Sequence, residues 1–311
     1  MRIICMGSGG LGGFYGALLA SAGCEVGFVA RGTHLGAMRA QGLTIERDGG
    51  RESLHLPNPR VSEDPADLGA ADVVIMGVKL WDTPGAIEAI RPVMREGSCV
   101  LSLQNGVTKD DALREAFGED HVLGGVAYVA TAISRPGVIA QTGPMQRLLL
   151  GARTAPGQQM AARLCEAATA AGIDASLPPD ITVAIWQKFV FLVGMSSMTA
   201  ASRSTIGPIR HTHASRAFLA ELFGETAAVG RALGVALPEH EAEAAMQRAD
   251  AVSAAMTTSM HHDLEAGRRL ELPWLAGTVA ELGAKAGVPT PCARAIVAVL
   301  APHVEGRRAP G

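Results

Sequence analysis

A six-residue run, Gly7-Ser8-Gly9-Gly10-Leu11-Gly12, constrains this chain more than any other feature. It carries the GxGxxG spacing and lies between an apolar strand-like segment, Ile3 to Met6, and a helix-like one, Leu11 to Ser21. In that setting Gly7 permits a tight turn, Gly9 lets backbone approach a ligand, and Gly12 allows helix and strand to pack closely. The helix N-terminus adds N–H groups that face an anion. Gly7, Ser8, Gly9, Gly10, Leu11 and Gly12 therefore read as a pyrophosphate-binding loop, with a ligand-free glycine turn as the alternative.

The rest of the first half alternates in the same style. Strands are predicted at Val26 to Ala30, Val73 to Val78 and Cys99 to Leu103, and helices at Thr33 to Gln41, Thr83 to Ile90 and Asp110 to Phe117. That order gives a parallel sheet covered by helices. Short strands at Val126 to Ile133, Val138 to Gln141 and Arg147 to Leu150, with turns at Pro136-Gly137 and Gly143-Pro144, should extend the sheet antiparallel at one edge. A helix from Gln158 to Ala171 and a strand from Ile173 to Leu177 end at Pro178-Pro179. Beyond them the pattern is helical, broken near Gly207-Pro208, Gly234 to Pro238, Gly267 to Pro273 and Gly287 to Pro291, and the tail after Glu305 reads as disordered. The expected fold is α/β, a Rossmann-like doubly wound sheet with a second, all-helical domain. Residues 1–178 form the nucleotide-binding domain and 179–311 the helical one, as 311 residues allow.

A fold of this kind that binds NAD carries Asp or Glu at the end of its second strand, for the ribose hydroxyls. Here that place reads Val29-Ala30-Arg31. A guanidinium in place of a carboxylate favours a 2′-phosphate, so NADPH is the expected cofactor, and a solvated loop charge is the alternative for Arg31.

Composition removes other classes. With 48% apolar residues, 18% charged residues and a net charge of −3, neither disorder nor a phosphate-binding surface is indicated, so nucleic acid is not an expected partner. The five cysteines, Cys5, Cys24, Cys99, Cys165 and Cys292, are scattered without a CxxC pair, which argues against disulfides and thiolate metal sites. Met1 leads directly into a strand without a basic leader, and the longest apolar run, Phe189 to Met195, is far short of the ~20 residues that cross a bilayer. A soluble protein of the cytoplasm is expected, with no membrane partner.

Only Lys79, Lys109, Lys188 and Lys285 are lysines among 27 basic residues. Lys188 lies within Ile185-Trp186-Gln187-Lys188-Phe189-Val190-Phe191-Leu192-Val193, and its helical neighbours Ala184, Ile185, Phe191 and Leu192 offer it no carboxylate. Two readings stand: a snorkelling surface ammonium, or a desolvated lysine that donates a proton to a carbonyl oxygen as hydride reaches the carbon.

Several segments together resemble the ketopantoate reductase (2-dehydropantoate 2-reductase) family. They are the glycine run, Val29-Ala30-Arg31-Gly32, Val78-Lys79, Leu103-Gln104-Asn105-Gly106-Val107, Trp186-Gln187-Lys188, Ser259-Met260, Asp263-Leu264, Glu271 and Gly277. The resemblance implies an NADP-dependent oxidoreductase of pantothenate biosynthesis acting on a small 2-oxo acid, and a homodimer is left open. It implies that Lys188 protonates the substrate oxygen, Glu271 binds the substrate hydroxyl and orients the lysine, Ser259 hydrogen-bonds the substrate, and Asn105 and Lys79 lie beside the nicotinamide and ribose. Each has a plainer alternative: a salt bridge of Glu271 with Arg268 or Arg269, a turn at Asn105-Gly106, and a serine bonded to its own helix at Ser259.

The chain departs from the family at the lysine helix, where Leu192 and Ser196 stand in place of two asparagines. Ser196 keeps a hydroxyl for the substrate; Leu192 makes the pocket more apolar, so the reaction type is better defined than the substrate. The rival readings are a β-hydroxyacid or 6-phosphogluconate type dehydrogenase and a non-catalytic NADP-binding regulator. The pairs His211/His213 and His261/His262 match no zinc motif, and no metal is expected.

Overall fold

Six parallel strands form the centre of the first half of the chain. They are β1 (Arg2–Met6), β2 (Glu25–Val29), β5 (Arg60–Ser62), β6 (Val73–Met76), β7 (Cys99–Ser102) and β8 (Val122–Arg135). The computed structural model describes residues 1–48 and 52–307. In space the strands run β5-β2-β1-β6-β7-β8, which in chain order is the doubly wound sequence 3-2-1-4-5-6. β6 and β7 are buried along their whole length, as strands covered on both faces must be. The helices α1 (Gly10–Ser21), α2 (Gly32–Gln41), α3 (Thr83–Ile90) and α4 (Asp111–Phe117) connect them.

The sheet continues beyond β8 with the antiparallel step that the sequence suggests, and then with further strands that it does not. β9 (Val138–Gly151) returns antiparallel to β8 around Gly137, whose φ of +78° demands glycine. β3 (Leu43–Arg47) then pairs parallel with β9, β4 (Leu54–Leu56) pairs antiparallel with β3, and β10 (Asp174–Ser176) pairs parallel with β9. β3, β4 and β5 correspond to no predicted strand. The short strands predicted within 126–150 are pieces of two strands of 14 residues each. Gly143-Pro144 does not join two strands: it lies inside β9, where Tyr128 pairs with Arg147 but Ala130 with Thr142, an irregularity that absorbs the extra residues. The antiparallel step also lies inside the sheet, since β3 and β4 continue past β9.

This extension explains the composition of α1. The helix packs against β1 and β2 and also against β3, β4, β8 and β9, so residues 12–19 are all buried and it has no polar face. Gly10, Gly13 and Gly16 serve that enclosure. A Cβ on Gly10 would lie 2.5 Å from the Thr131 carbonyl oxygen, one on Gly13 would collide with Ile139, and one on Gly16 would lie 2.8 Å from the Phe28 ring.

By internal contacts, residues 1–104 and 109–181 form one unit, while Asn105–Thr108 groups with the residues from 182 onward. The first unit also holds α5 (Ala155–Ala170). The second is built from α6 (Ile181–Ser202), α7 (Ile206–His211), α8 (His213–Ala232), α9 (Glu241–Ala251), α10 (Ser259–Glu265), α11 (Ala276–Ala286) and α12 (Pro291–Leu300). Trp186, Phe189, Val190 and Val193 of α6 meet Leu219, Leu222 and Phe223 of α8 in its core. Gly194 exists because a Cβ there would enter the Phe223 ring. By length and composition α6 could cross a bilayer, but 67% of its most apolar window is buried inside the protein, as in a core helix. The predicted break near Gly207-Pro208 lies just before them: α6 ends at Ser202, Arg203 has a φ of +50°, and α7 already contains Gly207. In the predicted tail, the Arg307 N–H donates to the Gly267 carbonyl at 2.9 Å, and residues 308–311 lie outside the described residues.

Candidate active site

In the first unit the strand order reverses between β1 and β6, and the glycine run leaves β1 at that point. Open parallel sheets bind ligands at such a crevice, outside the carboxyl ends of the strands. Gly7 has a φ of +94°, and a Cβ on it would lie 2.8 Å from both N and Cγ1 of Val78, at the end of β6. A Cβ on Gly12 would strike the Gly7 carbonyl oxygen. Gly9 differs: nothing lies within 4 Å of where its Cβ would be, so backbone is presented to open space. Ser8 is buried, and its N–H donates to the Val29 carbonyl at 2.8 Å. A backbone turn open on one side, beside the N-terminus of a 12-residue helix, fits a dinucleotide pyrophosphate. Arg31 follows β2 as the residue before α2, with its side chain exposed. Lys79 follows β6, half-buried, with Nζ 5.6 Å from the centre of the Trp81 ring.

Gln104 fixes the ends of β6 and β7. Its Nε2 donates to the Val78 carbonyl at 2.9 Å and to Thr83 Oγ1 at 2.8 Å, while its Oε1 accepts from Ser102 Oγ at 3.1 Å. Lys109 adds to this: it is 4% exposed and donates to the Ser102 carbonyl at 2.8 Å and to the buried Asp110 carboxylate at 2.9 Å. Sequence reasoning assigned neither residue a role. The scarcity of lysine marked Lys109 as unusual, but nothing in its flanks shows that it is sealed.

In the second unit two of the predicted residues come together. Lys188 Nζ, half-buried on α6, donates to Asn105 Oδ1 at 3.2 Å across 83 residues of sequence. Gly106, with a φ of +94°, makes the turn that places Asn105 there. Leu192, one helical turn beyond Lys188, is half-buried. Ser196, a further turn on, is fully buried, and its Oγ makes no hydrogen bond among the described residues. Ser196 thus lies inside the helical core. Glu271 is 6% exposed and precedes a short helical turn, with its carbonyl accepting from the Trp274 N–H at 3.0 Å. Of the arginines beside it, Arg268 pairs with Asp263 at 2.7 Å and Arg269 with Glu305 at 3.5 Å. Ser259 is exposed in the first turn of α10, where the cap is its neighbour Thr258, which accepts from the His261 N–H.

The four histidines singled out in the sequence do not converge. His211 Nδ1 bonds the Gly207 carbonyl, His261 Nδ1 the Thr199 carbonyl and His262 Nε2 the Thr257 hydroxyl. Among the described residues no three His, Cys, Asp or Glu side chains group as metal ligands.

A doubly wound sheet with a glycine turn at its reversal, joined to a helical unit holding a half-buried lysine, defines a two-unit oxidoreductase of the dinucleotide-dependent type. The family is then specified by comparison: residues 3–154 match the Ketopantoate reductase PanE/ApbA family and residues 180–304 its C-terminal family, so the chain belongs to the ketopantoate reductases. It is 30% identical to the 2-dehydropantoate 2-reductase of Mesorhizobium japonicum, over 96% of this chain and 97% of that one. The crystal structure of a PanE/ApbA family ketopantoate reductase from Ralstonia eutropha JMP134 superposes with a TM-score of 0.88 at 31% identity, covering 97% of this chain and 98% of that one. D-mandelate dehydrogenase, in a ternary structure with NADH and anilino(oxo)acetate, shares the fold at 18% identity, with a TM-score of 0.89 and 97% and 98% of the two chains covered. Family membership removes the rival dehydrogenase families.

Proposed function

We propose that this chain reduces the carbonyl of a small 2-oxo acid, 2-dehydropantoate or a relative of it, with NADPH in the cytoplasm. Residues 1–178 hold the nucleotide, and 179–311 supply the groups that act on the substrate. The bond between Lys188 and Asn105 carries the reading, because it orients the ammonium of a lysine that is still only half-buried.

Gly7, Ser8, Gly9, Gly10, Leu11 and Gly12 cradle the pyrophosphate, Arg31 takes the 2′-phosphate, and Lys79 and Asn105 serve the ribose and nicotinamide. When bound, the reduced dinucleotide supplies the hydride that ends on the carbonyl carbon. Lys188 holds a proton at Nζ and delivers it to the carbonyl oxygen as negative charge develops there, then regains one from water. Glu271 keeps a buried carboxylate for the substrate hydroxyl and for the bearing of the lysine, and Ser259 contributes a hydroxyl. Leu192 presents hydrocarbon one turn from Lys188, and Ser196, buried a further turn on, keeps for the substrate only a hydroxyl that makes no hydrogen bond among the described residues. Together they favour a substituent beside the carbonyl that carries more hydrocarbon than that of 2-dehydropantoate, with a hydroxyl kept for Glu271.

Absorbance-monitored NADPH oxidation against a panel of 2-oxo acids, 2-dehydropantoate included, tests this. Turnover of at least one member is expected, with apolar members ahead. Oxidation by none, in protein that binds NADPH, would leave a regulator that kept the fold. Exchanging NADPH for NADH tests Arg31: Arg31→Ala should raise the KM for NADPH by roughly tenfold or more and leave that for NADH unchanged, as expected for loss of a charged hydrogen bond.

A further inference from the structure

His34 sits in the first turn of α2, 9% exposed, between two backbone segments far apart in sequence. Its Nε2 lies 3.1 Å from the Ser8 carbonyl oxygen in the glycine turn. Its Nδ1 lies 3.1 Å from the Gly137 backbone nitrogen in the turn between β8 and β9. A peptide nitrogen only donates, so Nδ1 is the acceptor and the ring hydrogen resides on Nε2, which donates to Ser8. The two bonds together require a neutral imidazole, and burial, which pushes its pKa down, favours the same form.

The consequence lies in the next peptide. The Ser8 carbonyl and the Gly9 N–H belong to one planar trans unit, so they point in opposite directions. Ser8 is held at both ends, its N–H by the Val29 carbonyl and its own carbonyl by His34. The Gly9 N–H is thereby aimed away from the His34 ring, and Gly9 is the one glycine of the run whose Cβ position is open. Gly137 is itself braced, since its carbonyl accepts from the Thr44 N–H at 2.9 Å, so the ring is anchored on the sheet extension.

We infer that His34 is a positioning residue for the nucleotide loop: by holding the Ser8 carbonyl it presets the Gly9 amide for a pyrophosphate oxygen. This rests on the reading of the first unit as the nucleotide site. The ligand contact belongs to the glycine turn, and His34 acts through it.

The test compares His34→Asn, whose Oδ1 can replace Nδ1 toward Gly137 but whose side chain cannot reach Ser8, with His34→Gln, whose Nε2 can reach Ser8. Binding of NADPH and of adenosine 2′-monophosphate, which has no pyrophosphate, is titrated with the full chain, alongside melting without ligand. His34→Asn should bind NADPH about tenfold more weakly, the scale of one lost hydrogen bond, and bind the monophosphate as the wild type does. His34→Gln should stay within about threefold of wild type for both ligands. Equal NADPH affinity of His34→Asn and wild type overturns the inference, as does equal weakening for both ligands, which marks general damage to the fold. If His34→Asn does not fold, a tenfold loss of NADPH affinity in a folded His34→Gln overturns it. Wild-type protein that binds neither NADPH nor NADH sinks the nucleotide reading as well, which separates that failure from this one.

Discussion

Lys109 and Lys188 are two of four lysines in an arginine-rich chain, and both lie away from ordinary solvated surface, yet their surroundings differ in kind. Lys109 is sealed: its ammonium meets a buried carboxylate and a backbone carbonyl, and Arg114 approaches the same carboxylate at 3.7 Å. Lys188 is half-buried and bonds the neutral amide of Asn105. Burial alone does not mark a catalytic lysine. An ammonium sealed from solvent against a buried carboxylate is a strut, whereas one oriented at a position still partly open can pass its proton to a substrate. Lys285, which pairs with Glu281 one helical turn away on the surface, shows the ordinary case.

The largest effect should come from breaking the sealed pair. Lys109→Met leaves Asp110 charged and buried and is expected to cost about 3–5 kcal/mol in urea unfolding, with most of it recovered in Lys109→Met/Asp110→Leu. A cost below about 1 kcal/mol would erase the contrast between the two lysines. Next comes Asn105→Ala. It should lower kcat/KM by roughly tenfold to a hundredfold, the worth of a hydrogen bond to a charged group, with little change in melting temperature. A stability loss without a kinetic one would make the Asn105 bond structural, like that of Lys109.

The smallest effect extends the comparison to a third enclosed titratable group. Burial lowers the pKa of His34 in the folded protein, so the fold favours the neutral ring. Its contribution is present above the ordinary imidazole value near ~6.5 and is lost as pH falls from there toward the folded value, because the unfolded chain takes up the proton first. Melting temperature should therefore decline between pH 7.5 and 5 more steeply in wild type than in His34→Gln. Parallel slopes would mean that the ring is not held neutral.

Much of this contrast was hidden from the sequence, for physical reasons. The glycine run was legible because strand, turn and helix are contiguous, so a local pattern states a local geometry. Gly10, Gly13 and Gly16 carried a second message that was not legible: they admit β8, β9 and β2, which are contributed from elsewhere in the chain. β3 was missed because a five-residue strand with two buried apolar side chains gives little periodicity, and its partner β9 lies some 90 residues away. The lysine of α6 stood out because its flanks are apolar on every side. Its partner Asn105 could be named only through family resemblance, and the adjacent Lys109-Asp110 pair and His34 gave no local sign of being enclosed, since their burial and the carbonyl groups that meet them come from the fold.

The central claim is that Lys188 delivers the proton. The most direct test is Lys188→Ala, with NADPH affinity and single-turnover oxidation of bound NADPH measured on the same preparation, using a 2-oxo acid that the wild type accepts. Affinity should stay within about threefold while the oxidation rate falls by roughly 10³, in the range of general acid catalysis. An oxidation rate within tenfold of wild type would contradict the account.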